Sequence, residues 1–181
     1  MPATLTPPRF WKPKEIEDAA AGLRKQGGCE SIPVDPVAIA DRLGIVVMRV
    51  EFEDDSVVGT ISRRGPAWEI GLSTLGSAER QIFTVAHELG HYILHLSPGE
   101  EGKYVDTDAT LYRQSCPAGD RDDRTREVQA NMFAAALLMP EADVRRLWHP
   151  GVVVRRLAKQ FGVSETAMRF RIEQLGLWDD A

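Results

Sequence analysis

The chain has 181 residues, of which 43% are hydrophobic and 27% are charged, and its formal net charge at neutral pH is −5. These proportions are typical of a folded protein, so we expect one domain, or one domain with a small appendage. No apolar run approaches the roughly 20 residues that cross a bilayer, which excludes a membrane partner, and the acidic balance argues against phosphate-driven DNA binding by the whole molecule.

The first residues of the chain, 1–13, are expected to form a tail. They lack the positive cluster and apolar stretch of a secretory signal. Cys29 and Cys116 are the only cysteines and are too few for a disulfide framework. We therefore expect a cytoplasmic protein with free thiols.

The segment after the tail indicates helices followed by a sheet. Apolar residues recur at helical spacing in 14–26, and Asp35-Pro36 predicts the start of a short second helix over 37–43 that ends at Gly44. Three later segments, 45–52, 57–62 and 68–72, are rich in strand-forming residues and are separated by turn signals. We therefore expect a small antiparallel sheet, to whose edge an extended peptide could add as a further strand. The sequence does not indicate which edge.

A long apolar stretch, 77–96, is predicted to be a helix and contains His-Glu-x-x-His. Residues four apart lie about 40° apart on a helix face, so His87 and His91 can bind one metal ion together. Zinc suits imidazole nitrogens and in catalytic sites keeps a position for water. Glu88 lies beside the pair and can take a proton from that water. Alternatively, the two histidines are hydrogen-bonded core residues.

The third ligand must come from elsewhere in the chain, and a second predicted helix, 125–140, offers it. Glu127 and Asn131 are four apart and share a face. Glu127 would complete a His-His-Glu site, and Asn131 could accept the second ring N–H of a ligand histidine. Alternatively, Glu127 is only a favourable charge in the first turn of a helix. Such a site accepts several divalent ions, so Mn²⁺ is possible beside Zn²⁺.

Two motifs taken together resemble the ImmA/IrrE family of zincin-like metallopeptidases. The first runs from Phe83 to His91. The second runs from Glu127 to Pro140 and includes Ala130, Asn131 and an apolar stretch that ends in Met139-Pro140. The resemblance extends over residues 32–177, which is most of the chain.

This resemblance implies a zinc-type site with His87, His91 and Glu127 as ligands and Glu88 as general base. It also implies a substrate class, because members of the family cleave helix-turn-helix repressors. Such cleavage switches on phage-like, mobile-element or DNA-damage genes. The protein is therefore expected to act as an anti-repressor in a stress response.

The stretch between the two ligand helices, 97–125, has no periodic pattern and is expected to be a structureless insertion. Its position suggests a lid or a substrate-selecting loop; alternatively, it has no function. Cys116 could coordinate the metal and block the site, although a lone cysteine is a weak signal. His95 follows His91 by one turn, but a fourth protein ligand would remove the water position. The group that stabilises the oxyanion stays open among Tyr92, Tyr104, Tyr112, His95 and His149.

The C-terminal segment, 141–181, is expected to be helical. A helix, a glycine turn and a serine-capped helix form the outline of a helix-turn-helix. Residues 144–175 contain seven Lys and Arg against two acidic residues. This local charge of +5 suggests DNA binding. The apolar residues of the segment suggest instead that it packs on the domain or docks a repressor.

The combined expectation is an α+β fold. A small antiparallel sheet packs against the active-site helix of residues 77–96 and a second ligand helix, within a metallopeptidase domain over 14–140, and a helix-turn-helix-like segment follows. The expected activity is a zinc-dependent endopeptidase that cleaves a repressor. Two alternatives are a metal-stabilised regulator that binds its partner without cutting it, and a DNA-binding regulator that uses the C-terminal helices.

Overall fold

The computed structural model describes residues 10–96, 103–107 and 121–178. The described residues form seven helices and four strands, and the expected α+β class is confirmed. In chain order the elements are α1 (Pro13–Gln26), α2 (Pro36–Arg42), β1 (Ile45–Val50), β2 (Val57–Arg64), β3 (Ala67–Ser73), α3 (Ala78–His95), β4 (Lys103–Thr107), α4 (Arg121–Leu138), α5 (Glu141–Leu147), α6 (Val154–Phe161) and α7 (Glu165–Gln174). Among these helices, none combines the length and the apolar character needed to cross a bilayer.

The sheet has the strand order β1-β3-β2-β4 and is mixed. β2 runs antiparallel to both of its neighbours, whereas β1 runs parallel to β3. The expectation of an antiparallel sheet is therefore wrong for β1. The reason is topological: the chain passes from β1 to the far side of the β3 position, forms β2, and returns through the turn at Gly65 into the middle of the sheet. β3 consequently runs in the direction of β1.

The expected structureless stretch 97–125 is interrupted at two places. β4 pairs with β2, with Gly59 opposite Asp106, and adds a fourth strand at the edge of the sheet. Helix α4 begins at Arg121, four residues before the predicted start. The prediction was wrong at these places because a short strand next to glycines and charges has no clear period. The proposed lid function and Cys116 fall outside the described residues.

Helix α3 is the centre of the molecule. The side chain of Ser77 accepts the backbone N–H of Arg80 at 3.3 Å and so caps the start of the helix. Every residue from Phe83 to His91 is buried. The helix packs against α4, and also against β2 and β3 of the sheet. Polar side chains in this stretch are therefore held away from solvent.

The C-terminal helices have the predicted outline. Helix α6 ends at Gly162, which adopts a left-handed conformation with φ of 67°. The Ser164 side chain accepts the backbone N–H of Ala167 at 3.1 Å and caps α7. The buried residues of this unit, including Leu157 and Met168, join the same hydrophobic core as α1 and α3. The unit therefore packs on the rest of the chain.

Arg171 of α7 is buried and connects three elements. Its Nε donates to the carbonyl oxygen of Met139 at 2.9 Å, just beyond the end of α4. Its Nη1 and Nη2 donate to the two carboxylate oxygens of Glu17 in α1, at 2.5 and 2.9 Å. Arg171 therefore belongs to the interior and is not part of a DNA-facing surface, although its positive charge contributes to the local excess in the sequence.

Candidate metal centre

Three side chains from two helices converge at the buried contact between α3 and α4. The Nε2 atoms of His87 and His91 lie 2.9 Å apart. Glu127 of α4 places Oε2 at 3.3 Å from the His87 nitrogen and Oε1 at 3.3 Å from the His91 nitrogen. One ligand atom from each residue lies within 4.8 Å of the other two. The structure thus brings together the three residues that the sequence predicted as ligands.

Close approach of the two helices makes this convergence possible. An ideal Cβ built at Gly90 would lie 3.1 Å from both the Cα and the carbonyl oxygen of Ala130. Gly90 is three residues after His87, and Ala130 is three residues after Glu127. A larger side chain at either position would separate the backbones beside His91 and about one helical turn from His87 and Glu127. The small residues therefore set the distance between the imidazoles and the carboxylate.

Asn131 orients the first histidine. The Nδ1 of His87 lies 3.0 Å from the Oδ1 of Asn131, one turn beyond Glu127. An amide oxygen only accepts, so Nδ1 carries the proton and Nε2 is the nitrogen that can coordinate a metal ion. This is the contact that the sequence suggested for Asn131.

The charge states at the centre are those that a divalent cation needs. Burial lowers the pKa of His91, so its imidazole is neutral at neutral pH. Burial by itself raises the pKa of Glu127, but hydrogen bonds with His87 and His91 outweigh it and hold the pKa of this carboxyl below its usual range. The ring nitrogens of His87 and His91 and one carboxylate form a donor set that fits zinc and related divalent ions.

Glu88 is fully buried and directly follows His87, so its side chain is turned by about 100° around α3 from that of His87. An ideal Cβ at Gly59 of β2 would be 2.7 Å from its Oε1. The carboxyl group therefore rests against the backbone of the sheet, while His87 and His91 point towards α4. A carboxylate that is adjacent in sequence to a ligand histidine, but outside the convergent set, is a candidate proton acceptor.

A second contact between the helices extends the polar interior. The Nε2 of His95 lies 3.0 Å from the Oε1 of Gln129. Burial, followed by the effect of the nearby His91, lowers the pKa of His95 to about 3. His95 lies outside the convergent set, in agreement with the sequence argument. Sequence reasoning missed Gln129, because a residue two positions after Glu127 is expected on another face of the helix.

The described contacts of the remaining candidates for oxyanion stabilisation are with residues outside the convergent set. The Tyr92 ring packs edge-on against Trp68 with centroids 5.6 Å apart. The exposed His149 contacts the carbonyl oxygen of Pro150 at 3.1 Å. The side chains of Tyr104 and Tyr112 are outside the described part of the structure. None of these contacts selects one residue for the role.

Comparisons with known proteins agree with this geometry. The family model of the IrrE N-terminal-like domain, peptidase M78, matches residues 40–173. The radiation response metalloprotease IrrE of Deinococcus radiodurans is 30% identical over 107 residues, which are 57% of this chain and 30% of that protein. A Mycobacterium tuberculosis transcriptional regulator has a TM-score of 0.56 at 16% identity, over 88% of this chain and 46% of that one.

The structural likeness concerns the fold alone, because the sequences share few residues, and the chain spans less than half of either relative. The family match carries more weight. It covers most of the chain and includes both helices of the candidate metal centre. This chain therefore belongs to the M78 (ImmA/IrrE) family of metallopeptidases.

Proposed function

We propose that this protein is a metal-dependent endopeptidase in which His87, His91 and Glu127 hold the ion and Glu88 is the general base. The observation that carries the proposal is the convergence of the two histidine Nε2 atoms and the Glu127 carboxylate in the interior. Glu88, which directly follows His87 in the sequence, supplies a second, fully buried carboxyl group. A divalent ion held by these three residues would supply Lewis acidity and would make a coordinated water more acidic. Zn²⁺ suits the donors best, and Mn²⁺ is the alternative.

The protein side chains have separate tasks in this mechanism. Glu88 accepts the proton of the attacking water and passes it to the leaving amine. Asn131 keeps the His87 ring in the orientation and tautomer that binding requires. Glu127 supplies the negative charge that offsets part of the charge of the cation. Burial of α3 excludes bulk water, which strengthens these electrostatic interactions.

The proposed substrate is a helix-turn-helix repressor, whose cleavage would derepress stress or mobile-element genes. The resemblance to the ImmA/IrrE family supports this class, and the name of the Deinococcus radiodurans relative records a radiation response. The sheet offers a place for an extended peptide. β4 is the edge strand next to β2, and β2 carries the residue that faces Glu88. A peptide strand added to β4 would lie on the side of the sheet nearest this carboxyl.

The direct test is cleavage of a repressor encoded beside this gene. The wild-type protein with Zn²⁺ should cut it, and a chelator should stop the reaction. Glu88→Gln should retain the metal and reduce kcat by about 10²-fold or more, because proton transfer contributes on that order. Glu79→Gln is the matched control: this glutamate is exposed in the first turn of the same helix, and the variant should cut at the wild-type rate.

Two outcomes would contradict the enzyme proposal. If Glu88→Gln cuts as fast as the wild type, Glu88 is not the base. If the wild type binds metal and inactivates the repressor without cutting it, and Glu88→Gln does the same, the protein regulates by binding.

A further inference from the structure

We propose that Gly59 is a positioning residue for Glu88. The missing side chain at this place in β2 creates the space that the Glu88 carboxyl occupies, so residue 59 controls the orientation of the general base without contacting the metal ligands. The functional consequence rests on the proposed peptidase activity. The structural part of the proposal, that Gly59 determines the position of the Glu88 carboxyl, does not depend on that activity.

The space around Gly59 is filled from α3. An ideal Cβ at Gly59 would lie 2.7 Å from Oε1 and 3.6 Å from Cδ of Glu88, and it would also overlap the Cγ2 of Thr84. Thr84 and Glu88 are four apart and therefore share the face of α3 that meets the sheet. Since the atoms nearest to the added carbon belong to side chains, a methyl group at residue 59 should move those side chains before it moves the backbone.

Backbone conformation does not explain the glycine. The φ angle of Gly59 is outside the left-handed region, so any residue could adopt this backbone. Glycine within a strand destabilises the fold relative to alanine, because it loses more backbone freedom on folding. The physical reason for a glycine here is therefore steric: a side chain at residue 59 would occupy the space that the Glu88 carboxyl fills.

The strand also has an irregular shape at this place. The pairing of β2 with β4 shifts its register between Val57 and Gly59, whereas the pairing of Gly59 with Leu72 on β3 is regular. Bulges of this kind often occur beside active sites, where they change the direction of the backbone. The irregularity coincides with the residue that contacts Glu88.

In their described contacts, the histidine ligands meet α4 and not β2. His87 and His91 face Glu127 of α4, so a change at residue 59 reaches the general base first. This arrangement predicts a separation of effects: turnover should fall, while metal affinity and KM should stay close to wild type. Loss of the whole fold would instead lower all three.

The experiment compares Gly59→Ala with Gly71→Ala. Gly71 is a buried glycine on β3 with an ordinary φ, and an ideal Cβ there would lie 2.7 Å from the Oγ1 of Thr60, so the steric disturbance is similar. Because Gly71 is the residue before Leu72, which pairs with Gly59, its added carbon points to the opposite face of the sheet. Gly59→Ala should reduce kcat by about 10- to 100-fold, since a misplacement of about 1 Å has this effect. Gly71→Ala should leave kcat within about 2-fold, which is small on the same scale.

A second measurement does not depend on cleavage. In metal-free protein with ¹³C-labelled glutamate carboxyls, the Glu88 resonance is identified by its absence in Glu88→Gln. This resonance should shift in Gly59→Ala and stay in place in Gly71→Ala. If the wild type does not hydrolyse any substrate, the proposed function fails, and the carboxyl resonance still decides whether Gly59 seats Glu88.

A second substitution serves as the control for misfolding of Gly59→Ala. Thr84→Ser removes the Cγ2 atom and thus the other close contact, so Gly59→Ala/Thr84→Ser should fold while the Glu88 contact persists. A folded variant, single or double, with an unshifted Glu88 resonance or with wild-type kcat overturns the proposal. Reduced kcat with unchanged metal affinity and a shifted resonance supports it.

Discussion

At the scale of single residues, one amide decides which nitrogen of His87 can face a cation. Asn131 accepts from Nδ1 at 3.0 Å, which leaves Nε2 on the side of Glu127. Without this contact the imidazole could flip or take the other tautomer, and each new orientation would have to be reversed before binding. Such outer contacts tune metal affinity without contributing a ligand.

We therefore expect Asn131→Ala to weaken Zn²⁺ binding by about 10- to 100-fold without unfolding the protein. Competition with a chromogenic chelator measures the affinity, and circular dichroism measures the fold. Val128→Ala is the control, because Val128 lies in the same helix but is 37% exposed. Equal affinities for Asn131→Ala and the wild type would show that His87 does not need the amide.

At the scale of the elements, the centre exists because α3 and α4 approach at Gly90 and Ala130. The contact involves backbone atoms of Ala130, which cannot rotate away as a side chain can. Any added atom must change the distance between the helices. Glu127, one turn away, would move with α4 relative to His87 and His91.

Gly90→Ala should accordingly reduce metal affinity by roughly 10-fold, because donor atoms must stay within about 0.2 Å of their ideal distances. The comparison variant is Gly22→Ala in α1, where an added Cβ has nothing within 4 Å. That change should raise the free energy of unfolding by about 0.5–1 kcal/mol and leave metal affinity unchanged. Urea unfolding measures the stability of both variants, and metal competition measures their affinity. Unchanged affinity in Gly90→Ala would mean that α3 and α4 can accommodate a methyl group without moving the ligands.

At the scale of the whole molecule, Arg171 joins the C-terminal unit to the domain that carries the site. Its contacts reach Glu17 of α1 and the carbonyl oxygen of Met139 after α4. The charge count that suggested a DNA surface includes this buried arginine. It also includes Arg169, which pairs with Glu165 at 2.6 Å. The segment therefore contributes more to the architecture than the sequence indicated.

We expect Arg171→Met to lower the free energy of unfolding by roughly 3 kcal/mol, because it leaves the Glu17 carboxylate and a buried carbonyl without their donors. Arg169→Met should change it by less than about 1 kcal/mol, since exposed ion pairs contribute little. Chemical denaturation of both variants measures the difference. A similar small effect for the two arginines would show that the C-terminal unit is only loosely attached.

How much could be predicted depends on whether the determining contacts are local. The pairing of His87 with His91, the cap at Ser77 and the order of helices and strands follow from helical and strand periodicity within a few residues, and the sequence indicated them. The parallel direction of β1, the added strand β4, the burial of Arg171 and the contact of Gly59 with Glu88 were decided by the tertiary structure. These features bring together segments distant in the chain, and a periodic pattern records which face of an element is apolar but not which element will cover it.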